Sequence, residues 1–409
     1  MRQSPAETLP CCQSSAYIFR EAKNEDAGNI VDCYESVFGA HGVKAPGHEP
    51  YPAPDVFSEE GVKLIVKDPL RQFMVIEIDG EIAAGMIISH NSRFHREFGC
   101  VAVSKRYQGR GISTLMLKEC KKLEQQQSLS VNVTEIVTHS MLSQSAHKNA
   151  GYGQVTGFGF CQYPNVFFLH HPESCLWITS FEGAVIETLR QSRPSWRLQH
   201  SLDPARGAEL EGTELTLLNK LKAPRSIFVP PSYLQIVSKI ASQFDDTFTY
   251  RIFADAESHT QHSHWNSRFA SDDCGDNPYA YLNLPARQID REELLTHMGK
   301  LANQKKRYIQ ARVPTINGSA IKNIDLLRAH GFVFLGWVPL HRCTQQKEPD
   351  FDDVLIMQWI RPDVVAANAL PGETNAVVKL HGYPLNLTGD LISTIRKDLN
   401  SAGRRNWSD

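Results

Sequence analysis

Apolar positions alternate with polar ones over Ala16–Glu21, then change to helical spacing at Ile30, Cys33, Tyr34 and Val37. A short strand followed by a helix capped at Asn24, ahead of Glu25 and Asp26, is predicted. A second short helix covers Glu59–Lys67 and stops before Pro69. Phe73–Ile78 and Glu81–Ser89 are two strands hinged on Asp79-Gly80, a good two-residue hairpin turn. Gly99–Ser104 is a short apolar strand, and Ser113–Gln125 a helix with Leu115, Leu117, Cys120 and Leu123 inward. Val131–Thr138 is a further strand, Ser143–Asn149 a short helix closing at Gly151-Tyr152, and Val155–Tyr163 the last strand of the unit. Residues 39–55 hold Gly39, Gly42, Pro46, Gly47, Pro50, Pro52 and Pro54. They predict a long irregular loop of the kind that often binds ligands.

Residues 1–14, polar and with two prolines, read as a flexible tail. Residues 171–204 read as a linker that carries a helix over Glu182–Gln191 and breaks at Pro194. Beyond it, helices are predicted at Tyr233–Phe244, Arg291–Gln304 and Ser319–His330, with an amphipathic one at Leu391–Leu399. Strands are predicted at Thr247–Phe253, Ala280–Leu284, Tyr308–Val313, Val333–Trp337 and Val354–Trp359. The fold class is α/β (α+β) in two domains, residues 15–170 and 205–409, as expected for 409 residues.

A formal net charge of −2 gives no reason to expect a nucleic-acid or anionic-membrane partner. The nine cysteines are dispersed without a C-x-x-C pair, so neither a disulfide framework nor a zinc site is suggested. No stretch is apolar enough for a leader or a membrane span, and a cytoplasmic location is the expectation.

The segment with the clearest chemical pattern lies where the strand at Gly99–Ser104 turns through Arg106-Tyr107-Gln108-Gly109-Arg110-Gly111-Ile112-Ser113 into a helix. Such a turn leaves unpaired backbone N–H groups at the positive end of a helix dipole, a site for phosphate. Glycine at 109 and 111 lets the backbone approach an anion, and Arg106 and Arg110 are placed for charge-assisted contacts. A tight turn that only packs the helix on a sheet explains the glycines equally well. The context separates the alternatives: no Gly-Lys-Ser/Thr ends the loop, and its glycine spacing is not that of a dinucleotide-binding turn.

Arg106-x-x-Gly109-x-Gly111 after Val101-Ala102-Val103 resembles the coenzyme A pyrophosphate loop (Q/R-x-x-G-x-G/A) of the GNAT N-acetyltransferase superfamily. The order of elements and the segment Ala146-His147-Lys148-Asn149-Ala150-Gly151-Tyr152 are similar to that family as well. The resemblance implies a GNAT-type mixed sheet flanked by helices, with acetyl-CoA or another acyl-CoA as donor. It implies contacts from Val101, Ala102 and Val103 to the pantetheine arm, and from Gln108, Gly109, Arg110, Gly111, Ile112 and Ser113 to the pyrophosphate. The strand before the loop would splay from Val131–Thr138, and its amides would polarise the thioester carbonyl.

For the general base the first candidate is Glu97, which shares a strand face with Gly99, Val101 and Val103 if pairing begins that early. His147 stands where the family commonly has the tyrosine that reprotonates the thiolate, with Ser143 and His139 as further candidates, Ser143 also as a helix N-cap. Cys100 reads as a buried apolar cysteine rather than a nucleophile.

Tyr308–Trp337 repeats strand, helix, Gly-Phe, strand, so the second domain resembles a diverged GNAT-like copy. Leu284-Pro285-Ala286-Arg287-Gln288 has no glycine pair where its coenzyme A loop would fall. His259, His262 and His264, followed by Asp272, Asp273, Cys274 and Asp276, read as a solvated loop rather than a metal site. The expected function is acetyl transfer to an amine-bearing small molecule. A non-catalytic acyl-CoA-binding regulator remains the alternative.

Overall fold

In the computed structural model, residues 7–8, 16–43, 51, 53–138, 140–163, 173–193, 210, 212–255, 269–272, 279–343, 351–360 and 385–402 are described. They fall into two units, one running to residue 153 and including 160–182, the other containing 154–159 and the described residues from 183 onward.

The first unit contains β1 (Glu7–Thr8), β2 (Ala16–Glu21), α1 (Ala27–Phe38), α2 (Glu59–Lys67), β3 (Arg71–Ile78), β4 (Glu81–His90) and β5 (His95–Val103). There follow α3 (Ile112–Gln125), β6 (Ser130–Val137), α4 (Met141–Asn149), β7 (Val155–Tyr163) and β8 (Glu173–Glu182). Strands run in the order β1-β2-β3-β4-β5-β6-β8, antiparallel except for the parallel pair β5–β6.

One face of this sheet carries α1 and α2, whose Ile30, Tyr34 and Val62 pack with Phe73, Val75, Ile87 and Ala102. The other face carries α3 and α4: Tyr17 Oη donates to Glu119 Oε1 of α3 (3.2 Å), and Phe98 meets the Tyr152 ring edge-on at 5.9 Å. The expected cap at Asn24 is displaced to Asp26. Its carboxylate accepts from the Lys23 N–H (2.7 Å) and is forked by Arg20, which orders a 3-10 turn before α1.

Residues 173–182, expected within a linker, instead form β8, paired with β6 from Ser130↔Glu182 to Val137↔Cys175. Alternation was hard to read there because Cys175, Leu176, Trp177 and Ile178 are buried consecutively, on both faces. Val155–Tyr163 forms a strand as expected, but residues 154–159 belong to the second unit, where Gly157 pairs with Gly336. A Cβ at Gly336 would lie 2.3 Å from the Thr156 carbonyl oxygen, so this pairing requires glycine.

The second unit adds α5 (Ala184–Gln191), α6 (Thr213–Lys222), β9 (Arg225–Phe228), α7 (Pro231–Ser242), β10 (Tyr250–Phe253), β11 (Ala270–Asp272) and β12 (Tyr279–Asn283). It continues with α8 (Arg291–Asn303), β13 (Tyr308–Pro314), α9 (Ser319–Ala329), β14 (Val333–Cys343), β15 (Phe351–Ile360) and α10 (Leu385–Ala402). Its main sheet runs β7-β14-β15-β13-β12-β11 with β12 and β13 parallel, while β9 and β10 form a separate parallel pair. Most predicted elements of this half are present, whereas α6 and β9 were not foreseen. Among the described residues no helix is long and apolar enough to cross a membrane.

One buried carboxyl gives the first unit a pH dependence. Glu124 of α3 is 1% exposed; its Oε2 accepts from Tyr152 Oη (2.8 Å) and its Oε1 from Ser130 Oγ (3.1 Å). Burial is the largest influence and lifts its pKa from 4.5 to about 7. The folded chain therefore holds a proton that the unfolded chain has released, so stability falls as pH rises through this interval, by on the order of 3 kcal/mol in total. Glu124→Gln keeps the shape and removes the titration. Its stability relative to wild type is expected to rise by roughly 2 kcal/mol between about pH 5 and about pH 8. Urea unfolding at both pH values checks this, and a pH-independent difference would contradict it.

Candidate functional site

The site is built by β5 leaving its neighbour. β5 and β6 pair in parallel only from His95↔Val131 to Phe98↔Thr134. Beyond that point β6 stays with β8, whereas Gly99–Val103 pair only with β4. Thr134 Oγ1 donates to the Phe98 carbonyl (2.6 Å) at the point of separation, satisfying a group that the lost strand partner would have bonded. Gly99, Cys100 and Val101 are half-exposed although they lie in the middle of a sheet, which marks an open wedge.

Within the wedge β5 bulges. Its register against β4 jumps from Ile87↔Gly99 to Gly85↔Ala102, and Cys100 adopts a φ of 55°. The extra residue reverses the alternation of side chains. Glu97, Gly99 and Ala102 therefore share the α1/α2 face, while Val101 and Val103 point to the other. The expectation that Glu97 shares a face with Val101 and Val103 is corrected by this bulge. Ala102 is buried in the α1/α2 core, so only its backbone is available to a ligand.

From Val103 the chain enters the glycine loop. Tyr107 N–H bonds the Ser104 carbonyl at 2.8 Å, and Gln108 Nε2 donates to the Val103 carbonyl at 3.0 Å. Gly109 and Gly111 have φ of 77° and 75°, and a Cβ built on either meets no atom within 4 Å. The loop thus leaves room beside its backbone. Gly111 caps α3 without a side-chain hydrogen bond, and no acidic residue stands in the first turn. The first N–H of the helix with a backbone acceptor is that of Leu115, to Gly111 (3.0 Å). Those of Ile112 and Ser113 lie before it at the positive end of the dipole, a fit to a diphosphate. Arg106 was expected to add charge to an anion. Instead its Nη1 is held by the Glu81 carboxylate at 2.6 Å, which also accepts from Tyr107 Oη (2.8 Å). The guanidinium of Arg110 stands 5.4 Å over the Tyr107 ring, next to the helix start.

A parallel strand–helix–strand crossover in the second unit, β12–α8–β13, has neither the wedge nor the open helix start. β12 and β13 stay paired from Tyr279↔Tyr308 to Asn283↔Arg312. Asp290 caps α8 by accepting from the Glu293 N–H (2.8 Å), and Glu292 and Glu293 place two carboxylates in the first turn. A phosphate there would meet a filled cap and like charge.

The expected catalytic residues are less well gathered. Glu97 is half-buried one residue before the wedge opens, with Asn91 Nδ2 donating to its Oε2 at 3.2 Å. His147 is 4% exposed. Its Nδ1 lies 2.9 Å from the Ser143 carbonyl, an acceptor, so Nδ1 carries the proton and Nε2, without a partner among the described residues, does not. Burial lowers its pKa from 6.5 to about 4. A neutral, enclosed imidazole whose only proton is engaged is poorly placed to act as an acid at neutral pH. Ser143 is not the cap of α4: Ser140 is, accepting from the Ser143 N–H at 3.2 Å. His139 lies outside the described residues, as do residues 44–50 of the expected binding loop and the His259–His264 run. Among the described residues no group of three His, Cys, Asp or Glu side chains is placed to hold a metal.

Cys100 is a thiol raised to about 12, chiefly by burial, with Tyr51, Glu97, Arg71 and Asp55 around it, and so is no nucleophile. Tyr51, Asp55 and Arg71 were not foreseen. They lie 29 to 49 positions before Cys100 in the chain; Tyr51 is tied by its N–H to the Gly42 carbonyl (3.0 Å), Asp55 lies in the turn before α2, and Arg71 begins β3.

Comparison with known proteins finds a family match within the first unit. Residues 32–152 match the Acetyltransferase (GNAT) family. The match runs within the first unit, from inside α1 to Tyr152, so this part of the chain is similar to a GNAT acetyltransferase domain. No curated protein matches the chain. Among solved structures, a ribosomal-protein-S5-alanine acetyltransferase from Vibrio fischeri is 17% identical, over 43% of this chain and 96% of that one, with a TM-score of 0.33. A GNAT-family acetyltransferase from Streptococcus pneumoniae is 13% identical, over 41% and 99%, with a TM-score of 0.33. A spermidine N-acetyltransferase from Vibrio cholerae in complex with CoA and spermine is 11% identical, over 41% and 95%, with a TM-score of 0.31.

Proposed function

We propose that the first unit is an acyl-CoA-dependent N-acyltransferase that moves an acetyl group from acetyl-CoA to an amine of a small molecule. The carrying observation is the continuous path from the β5 wedge, through the bulge, to the open glycine loop and uncapped start of α3. Ile112 and Ser113 N–H groups, with the loop backbone from Gln108 to Gly111, bind the diphosphate. Backbone groups of Val101–Val103 hold the pantetheine arm. Acetyl-CoA supplies a thioester, and the amine nitrogen attacks its carbonyl carbon as the C–S bond breaks; no covalent link to the protein forms. Glu97, on the α1/α2 face of β5, takes the proton that the amine loses, directly or through water. With a net charge of −2, neither nucleic acid nor an anionic membrane is a partner in this reading, and the protein works in the cytoplasm.

The enclosed His147 favours a second reading, in which the unit binds acyl-CoA without turnover. Both are tested by calorimetric titration with acetyl-CoA and longer acyl-CoAs, followed by thiol detection of CoA release over a broad amine panel. Binding with amine-dependent release supports the transferase. Binding without release on any amine leaves the non-catalytic reading, and no binding by folded protein removes both.

A further inference from the structure

Three residues from three elements converge beneath the β5 bulge. Tyr34, in the middle of α1, is fully buried, and its Oη donates to the carbonyl of Cys100. Cys100 is the bulge residue itself, at a φ of 55° that non-glycine residues seldom adopt. Across the strand, Gly85 leaves room for the phenol: a Cβ there would lie 3.0 Å from the Tyr34 ring, 3.3 Å from its Oη and 2.9 Å from the Phe73 ring. Phe73 meets the Tyr34 ring edge-on at 6.0 Å and Phe57 does so at 6.2 Å, so the ring is held on two sides.

The consequence lies in the peptide that follows. No peptide bond among the described residues is cis, and in a trans peptide the C=O and the next N–H point in opposite directions. With the Cys100 carbonyl drawn toward α1, the Val101 N–H is turned away from α1, toward the face that carries α3. That is the face on which the glycine loop starts its helix. Cys100 is paired with no residue of β4, and the Tyr34 bond holds this plane.

We infer that Tyr34 is a positioning residue. By holding the Cys100 carbonyl, with Gly85 providing the space, it aims the Val101 N–H at the thioester carbonyl of a bound acyl-CoA, so that this amide polarises it. The inference rests on the acyl-CoA reading of the site. It assigns to a buried tyrosine on α1 control over one backbone donor without contact with substrate.

Infrared spectroscopy of acetyl-CoA labelled with carbon-13 at the acetyl carbonyl tests it without need of an acceptor amine. Wild type is expected to lower the carbonyl stretch relative to free acetyl-CoA. Tyr34→Phe is expected to keep its affinity within about 3-fold while the stretch returns toward the free value, because only the aim of the donor has changed. Gly85→Ala, which displaces the phenol without removing its hydroxyl, is expected to do the same. If an amine substrate is in hand, kcat of Tyr34→Phe falls about 10- to 100-fold with little change in KM for acetyl-CoA. A stretch in Tyr34→Phe still lowered as in wild type overturns the inference. So does a wild-type complex with no lowering, which leaves the cofactor reading standing. If wild type itself binds no acetyl-CoA, the proposed function fails and the inference with it. Should Tyr34→Phe not fold, Gly85→Ala carries the same comparison.

Discussion

Glutamate at both Gly109 and Gly111 is expected to weaken acetyl-CoA binding by at least ~100-fold, which is about 2.7 kcal/mol, in a protein that remains folded. Two effects combine. Both positions hold φ near the left-handed region, 77° and 75°, where a side chain strains the backbone by roughly 1–2 kcal/mol each. Relaxing that strain moves the N–H groups that face the anion. The new carboxylates also lie beside the start of α3, where the dipole favours negative charge, and there they compete with the diphosphate. Because a Cβ at either glycine meets nothing within 4 Å, the substitutions do not break packing elsewhere. Alanine at both positions introduces the strain without the charge and is expected to lose affinity by a smaller factor. Calorimetric titration, with circular dichroism as the check on folding, reads all three proteins. Glutamate variants that bind as wild type does would mean that this loop is not the diphosphate site.

That loop was legible in the sequence because its requirements are local. A strand, two glycines two apart and a helix starting at once are readable from Val101 to Leu115 without knowledge of anything distant. The hairpin at Asp79-Gly80 and longer helices such as that predicted at Arg291–Gln304 were legible for the same reason. The bulge at Cys100 was not. Nothing in Glu97-Phe98-Gly99-Cys100-Val101 announces an extra residue; its partners are distant, Tyr34, 66 positions earlier, donating to the Cys100 carbonyl and Gly85 leaving room for the phenol. Missing it put Glu97 on the wrong face relative to Val101. His147 shows the opposite limit. Its spacing from Gly151 suggested an acid, yet spacing says nothing of burial or of the Ser143 carbonyl that fixes its tautomer. β8 was lost because a strand buried on both faces has no period of two, and a long apolar run gives no face to follow.

The second unit holds the interaction whose loss should be most damaging. Arg225 and Asp353, separated by 128 positions, form a fork: Nε and Nη2 donate to the carboxylate at 2.8 and 3.1 Å. Asp353 Oδ1 also accepts from the N–H of Leu340 at 3.0 Å, and Leu340 sits at a φ of 51° within the irregular part of β14. Asp353 is 1% exposed. Asp353→Asn leaves an amide that still accepts from Leu340 but places an NH2 or a neutral oxygen against a buried guanidinium. Removing one partner of a buried pair strands the other charge, and such changes cost about 3–5 kcal/mol. For a unit of this size that corresponds to a fall in Tm of roughly 6–20 °C. Replacing both partners, as Arg225→Met with Asp353→Leu, removes the stranded charge and is expected to recover at least about half of the loss. Thermal unfolding of the three variants decides it. A single variant within about 1 kcal/mol of wild type would show that the buried guanidinium is satisfied elsewhere, by the Phe351 carbonyl that also accepts from its Nη2 at 3.1 Å.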